Sequence, residues 1–376
     1  MQRRTFLAAA LAAAFSAPLA GGARAQAGAL VIGQSTPLSG SNKELGEDIR
    51  DGALALLKRI NDAGGVNGRR IELVSLDDAN DTKRSEENTK ALIEQSNVLA
   101  LFGYASATLS RPALPHVEAA RITFFGPFTG AESMRKFNRH VYNHRASYAD
   151  ELERIVEHYT TFGVKRFAVL HYDDAVGKEN MAAVERALKA RSLAPAAVAA
   201  IPRKDVDLGP SVAAVLKAAP DVVITTTLYK ATSEFVKLAR TQGSAVQFVS
   251  TSFAGSTALA NELGKDGIGV AMAQVVPAPG KGSIPVVREY QAAIQALKGK
   301  RELSFTMLES YIAAKVLVEG IRRAGPNPSR EALLRSLDTL QGYDTGGYVV
   351  SFSPTNHNGS SFVDLTILGA DLAFKN

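Results

Sequence analysis

From residue 30 onward the chain alternates short β-branched or aromatic runs with segments of helical periodicity. That alternation restricts the available folds more than any single motif does. Residues 30–33, 71–76, 98–102 and 122–125 are strand-like runs followed by turn residues. Between the first two, Leu45, Ile49, Ala53, Leu56, Leu57 and Ile60 recur at helical spacing, so 44–62 presents one apolar stripe to a sheet. Gly64-Gly65-Val66-Asn67-Gly68 then stops the helix and turns the chain, and Asp81 is a candidate cap for the next one. The pattern resumes after residue 145, with strands at 166–171, 197–201, 221–227, 247–250 and 270–276. Helices at about 147–162, 176–191, 209–218, 230–242 and 255–263 separate them. Strand-helix-strand repetition implies parallel sheets covered on both faces, with right-handed crossovers. Two such series imply an α/β protein of two doubly wound lobes.

The pattern breaks at the Pro- and Gly-rich stretch 277–285, which reads as a linker. Three helices follow, at about 285–298, 304–324 and 328–340. A C-terminal β pair is expected from 348–352 and 362–368, around the turn-rich 353–361. No repeat of 20–50 residues is present.

Charge and composition narrow the function. The net charge of +6 includes Arg3, Arg4 and Arg24, and residues 1–25 contain no acid, so without them the chain carries +3. That balance is too slight and too scattered to argue for nucleic acid. Residues 1–25 read as a cleavable export signal: a basic start, an uncharged Ala-rich run, helix-breaking Pro18, Gly21 and Gly22, and Ala23-Arg24-Ala25 as a small-x-small cleavage site. Arg3-Arg4-Thr5-Phe6-Leu7 resembles the twin-arginine export motif, with a general secretory signal as the alternative and a retained anchor as a third. The expected location is periplasmic. With no cysteine, disulfides, thiolate metal sites and cysteine nucleophiles are excluded.

Several runs together carry a family resemblance. Ile32-Gly33-Gln34-Ser35-Thr36-Pro37-Leu38-Ser39-Gly40, Ile60-Asn61-Asp62-Ala63-Gly64-Gly65-Val66-Asn67-Gly68-Arg69 and Asp77-Asp78 resemble the N-terminal motifs of the leucine/isoleucine/valine-binding family. Leu101-Phe102-Gly103, Asp173-Asp174-Ala175-Val176-Gly177 and Gln274-Val275-Val276-Pro277 extend the likeness, which runs from about residue 29 to the C-terminus. These are periplasmic solute-binding proteins of ABC importers with the type I fold. The resemblance implies two lobes joined by a three-segment hinge, here 28–145 plus 277–346 and 146–276 plus 347–376. It also implies a ligand cleft between the lobes, a small amino acid or organic acid as ligand, a permease in the inner membrane as partner, no cofactor and a monomer. Ligands of doubly wound sheets bind beyond the carboxyl ends of the strands, which suits such a cleft.

Candidate ligand-binding residues follow from the strand ends. Tyr104, Ser106, Ala107 and Thr108 follow the third strand, where small hydroxyl residues and backbone N–H groups receive a carboxylate; Ser106 serves that role or merely caps its own helix. Phe128 and Thr129 stand where the resemblance puts a second carboxylate-holding loop, Thr129 being preferred because Phe128 equally suits lobe packing. In the other lobe Tyr229 matches the family's ligand-contacting tyrosine. Tyr148 follows the first crossing, and Arg145 either contacts an anion or braces the hinge.

Two departures bear on the ligand. Family members that bind α-amino acids usually carry a carboxylate after the strand at 247–250, to pair the ammonium; here Ser252 takes that place and Phe253 follows. Val176 replaces an aromatic that often stacks on the ligand. An unpaired buried ammonium costs about 3–5 kcal/mol. The preferred ligand is therefore an aromatic or 2-oxo acid, with an amino acid retained, and Asp174 or Glu309 as alternative sources of the missing charge.

Enzyme chemistry finds no support. His140 and His144 have metal-gripping spacing only on a helix, and Val141 and Tyr142 favour an extended segment, where they stand about 13 Å apart. The glycines of 264–269 precede a strand instead of opening a helix. No nucleophile elbow or P-loop occurs, and residues 77–81 lack the calcium-loop register. The competing class is a periplasmic sensor that closes on a ligand to signal instead of to deliver it.

Overall fold

The computed structural model describes residues 28–40, 42–204, 206–297 and 302–375; the export segment expected at 1–25 lies outside them. Two sheets organise the chain. In the first, β1 (Leu30–Thr36), β2 (Ile71–Asp77), β3 (Ala100–Phe102), β4 (Thr123–Phe125) and β5 (Val141–Tyr142) run parallel in the order β2-β1-β3-β4-β5. Helices α1 (Lys43–Asp62), α2 (Thr82–Glu94), α3 (Ser106–Ser110) and α4 (Leu114–Ala120) connect these strands. The side chain of Asp81 caps α2 by accepting from the Arg84 N–H, as its position suggests.

The second sheet begins after α5 (Tyr148–Thr161). Its strands β6 (Phe167–Tyr172), β7 (Pro195–Ile201), β8 (Val222–Thr225), β9 (Gln247–Ser250) and β10 (Ala271–Gln274) are parallel in the order β10-β9-β8-β6-β7. They are linked through α6 (Ala175–Lys189), α7 (Gly209–Lys217), α8 (Tyr229–Thr241) and α9 (Ser256–Leu263). The near-continuous apolar runs of β6 and β8 are buried along their whole length, as parallel strands covered on both faces must be.

After the linker, α10 (Pro285–Gln295), α11 (Phe305–Arg323) and α12 (Arg330–Asp338) return to the first sheet, α11 lying along α1 and α12 reaching β4. The expected C-terminal β pair does not form. Instead β11 (Tyr343–Asp344) and β12 (Val349–Val350) make a tight hairpin whose turn is tied by Asp344 Oδ1, which accepts from the N–H groups of Gly346 and Gly347. β13 (Asp364–Leu368) adds antiparallel to the open edge of β10, and β14 (Phe374–Lys375) closes that side. A local hairpin closes a shorter loop than the expected pairing, and β10 offers a ready ladder, so each strand finds a partner elsewhere.

The stretch between them stays with the first sheet. The Asn143 N–H donates to the His357 carbonyl (2.8 Å) and the Gly359 N–H to the Asn143 carbonyl (2.7 Å). Asp338 gathers the Tyr142 hydroxyl (2.6 Å), Arg139 (3.0 Å) and His357 (3.1 Å), and the His357 ring stacks on Tyr142 at 3.8 Å. The chain thus reaches the second sheet at about 360–363, later than the boundary expected at 346/347.

Helix α1 approaches α11 so closely that a Cβ on Gly52 would lie 2.2 Å from the Met307 carbonyl oxygen. That contact requires a residue without a side chain. Gly52→Ala is expected to push the helices apart and lower stability by about 1–3 kcal/mol. Urea unfolding followed by tyrosine fluorescence measures it; an unchanged midpoint would mean that the α1–α11 approach is not tight.

Candidate functional site

A cavity of about 70 Å³ lies between the carboxyl ends of the two sheets, bordered by residues of both. Among the ten residues singled out from the sequence, Ser106, Phe128, Tyr148, Tyr229, Ser252 and Phe253 line it, together with Arg145 and Glu309. A larger hollow of about 530 Å³ lies between α9, residues 278–281 and the C-terminal strand. None of the charged groups described below borders it, so volume alone does not mark the site.

Four expected residues do not line the cavity. Tyr104 is wholly buried, packed edge-on against Phe124 at 4.9 Å with its hydroxyl 3.0 Å from that of Thr89, so it belongs to the core of the first lobe. Ala107 faces that core and Thr108 faces outward. Thr129 is buried; its hydroxyl accepts from the Ala131 N–H and bonds the hydroxyl of Tyr148. Thr129 therefore positions a cavity residue, and Phe128, the less favoured of the pair, supplies the wall. Neighbouring residues of an extended loop point to opposite sides.

Ser106 adopts a left-handed backbone at φ +77°, which a side chain bearing a Cβ rarely takes. Its N–H already donates to the Phe128 carbonyl (3.1 Å), and the Phe128 N–H donates to the Tyr104 carbonyl (2.8 Å), so the two loops are laced together. Of the expected serine-plus-backbone receptor, the Ser106 backbone N–H is thus occupied. The hydroxyl, in loose contact with the Leu109 N–H (3.4 Å), is the group left at the cavity. Such a backbone persists only where its surroundings over-determine it, as the lacing of the two loops does here.

A charge cluster forms the cavity's other end. A capping box, with Ser147 and Asp150 bonded reciprocally, fixes the start of α5 and places Glu151 one residue further on. Glu151 accepts from the Ser252 N–H (2.7 Å), the Ser252 hydroxyl (2.8 Å) and Arg145 Nη2 (3.0 Å). Arg145 also bonds the Ser252 hydroxyl and donates through Nη1 to Glu309 on α11 (3.1 Å). The three charged residues are 4%, 0% and 5% exposed for Arg145, Glu151 and Glu309, so solvent screens them little.

One guanidinium thus faces two carboxylates. Burial opposes the charge on Arg145, yet Glu309 and Glu151 hold its pKa above the ordinary value. Burial pushes Glu309 up to about 7; Arg145 opposes the rise and Glu151 adds to it. Burial raises Glu151 as well, against Arg145 and the Ser252 hydrogen bonds. His144 stands 3.6 Å from Glu309, but burial first, then Arg145 and Arg135, depress it to about 3, so it is neutral and adds no cation.

Aromatic rings complete the walls. Tyr148 and Phe253 meet at 5.6 Å, and the Arg145 guanidinium lies 5.7 Å from the Tyr148 ring centre. Asp174 is not part of the cavity: it caps α6 through the Gly177 N–H (2.8 Å) and pairs with Arg203. Val176 packs in the apolar cluster that holds Tyr148. Sequence reasoning missed Glu151, whose only signal was the capping box that precedes it.

The pair His140 and His144 flanks the extended β5, as their intervening residues suggest. Among the described residues no group of three or more His, Cys, Asp or Glu could hold a metal ion. No helix among them is long and apolar enough to cross a membrane.

Comparison with known proteins agrees with this geometry. The pattern of the family described as periplasmic binding protein matches residues 29–366. An amino acid binding protein of Pseudomonas aeruginosa is 26% identical over 225 residues, which are 59% of this chain and 60% of that protein. A solved substrate-binding periplasmic protein from Ralstonia solanacearum shares 34% identity at a TM-score of 0.84, over 91% of this chain and 98% of that one. A solved possible leucine/isoleucine/valine-binding protein from Rhodopirellula baltica shares 29% at 0.87, over 93% and 96%. The chain belongs to the periplasmic binding protein family.

Proposed function

We propose that the protein is the extracytoplasmic solute-binding component of an ABC importer, closing two lobes on a small carboxylate-bearing solute with an apolar or aromatic body and delivering it to a membrane permease. The observation that carries this reading is the cavity at the strand ends, walled by residues of both sheets and holding a buried, unbalanced carboxylate. Among the described residues the first lobe comprises those of 28–145 with 277–359, and the second those of 146–276 with 360–375. A solute that touches both lobes binds the closed form more tightly than the open one and shifts the balance towards it.

The charge count bears on the solute. The preference for an aromatic or 2-oxo acid rested on Ser252 standing where relatives carry a carboxylate. Two carboxylates, Glu151 and Glu309, nevertheless gather at Ser252 through Arg145, and only one of them is balanced. An ammonium supplies the missing positive charge, whereas an amine-free acid adds a further negative one. We therefore favour an amino acid with an apolar or aromatic side chain: its ammonium on Glu309, its carboxylate at the Ser106 hydroxyl, and its side chain among Phe128, Tyr148, Tyr229 and Phe253.

Calorimetric titration with L-leucine, L-phenylalanine and phenylpyruvate in buffers of different ionisation enthalpy separates the two classes. In the empty protein the raised carboxyl of Glu309 favours folding below the ordinary carboxylate range, and that contribution is lost as the pH rises through about 7. An ammonium ligand favours the ionised form, so binding releases a proton and affinity rises with pH through about 7. Proton uptake, with affinity falling as the pH rises, would establish the amine-free class. Glu309→Gln is expected to abolish either linkage.

Ser106→Gly relieves the left-handed strain and is expected to keep or raise the melting temperature while weakening binding about tenfold, the worth of one hydrogen bond to a charged group. Unchanged affinity would return Ser106 to a purely structural role.

A further inference from the structure

The cleft does not end at the cavity. Leu228, Tyr229 and Asn42 also border a second compartment of about 360 Å³, which extends over the ends of β6 and β7 towards the edge of the second sheet. Asn80 of the first lobe lines it too, so it lies between the lobes and continues the same cleft.

Its charge is opposite to that of the inner cavity. Among the described residues, Arg203, Lys204 and Lys230 line it, with Glu234 as the acid. At the inner end Glu309 shares Arg145 with Glu151, so two carboxylates face one guanidinium. A solute lying along the cleft therefore meets surplus negative charge at one end and surplus positive charge at the other.

Arg203 is held in place. Its guanidinium lies 4.3 Å from the centre of the Tyr172 ring and 5.8 Å from that of Phe253, which is itself a wall of the inner cavity. Asp174, anchored as the cap of α6, engages the Arg203 Nε. A guanidinium has five N–H donors, more than one carboxylate at Nε takes up, so a stacked and tethered arginine keeps donors for a second anion. Val176 at the start of α6 packs in the apolar cluster around Tyr148, and the ring-stacked group on this side of the cleft is a cation.

We propose that the edge compartment binds a second anionic group at the far end of the solute, so that the ligand is an elongated molecule with an apolar middle and a distal carboxylate on Arg203. The proposal rests on the reading of the cleft as the solute site.

Three matched pairs test it, each differing by a terminal methyl, hydrogen or carboxylate: L-norleucine and L-2-aminoadipate, L-phenylalanine and 4-carboxy-L-phenylalanine, hexanoate and adipate. Calorimetric affinities are compared for the wild type, Arg203→Ala and Arg203→Lys. In at least one pair the added carboxylate is expected to raise wild-type affinity about tenfold. That ratio should fall to about one in Arg203→Ala and recover in part in Arg203→Lys, which keeps the charge and loses the planar fork. Equal or weaker wild-type binding of every two-ended member overturns the proposal while leaving the solute-binding reading intact. So does an advantage that survives Arg203→Ala. Failure of all six to bind overturns both.

Discussion

The arrangement of Arg145 between Glu151 and Glu309 is the interaction on which the rest of the site depends. A guanidinium and two carboxylates, all nearly inaccessible to water, are costly to bury unless each is paired and hydrogen-bonded. Here the pairing is made by three separate parts of the chain. Arg145 follows β5 at the first crossing, Glu151 and Ser252 belong to the second lobe, and Glu309 comes from a helix of the first. Ser252, which carries no charge to pair a solute ammonium, binds Glu151 through its N–H and hydroxyl and so leaves Glu309 as the carboxylate with the weaker set of partners. The charge of the cavity is thereby a property of the fold and not of any one loop.

Much of the fold was legible in advance because alternation of buried strands and amphipathic helices is a local pattern. β9 matches its expected bounds, and most other elements begin and end within a residue or two of theirs. The C-terminal pairing was not legible. Runs 348–352 and 362–368 both look like strands, but nothing in either encodes whether its partner is the neighbouring run, the hairpin partner Tyr343–Asp344 or the free edge of β10. That choice depends on which ladder is open once the rest of the sheet has formed.

The site divides along the same line. Ser106, Tyr229 and Ser252, at strand ends, all line the cavity because loops after parallel strands converge. Which of two adjacent residues turns inward was not legible, and Phe128 and Thr129 exchanged roles for that reason. Glu151 and Glu309 come from the N-terminal parts of helices, where a sequence gives a face but not a neighbour. The absence of a carboxylate after β9 was read correctly as a residue and incompletely as chemistry, because the same negative charge arrives from two helices instead of one loop.

Placement of the cluster also bears on how two lobes move without tearing it. Rotation about a hinge displaces groups in proportion to their distance from the axis, so bonds beside the crossing change least. Arg145 lies three residues before the start of α5, at such a crossing, and its links to Glu151 and Glu309 reach one lobe each. Away from it, α6 meets the first lobe through Ser133, which donates to Glu179 at 3.3 and 3.4 Å, and through Val176, which packs in the apolar cluster around Tyr148. A buried link at the pivot keeps the lobes in register, while solute contacts to both lobes supply the preference for closure. With no cysteine in the chain, that register depends on packing and on this ionic pivot, which titrates in the neutral range where a disulfide does not.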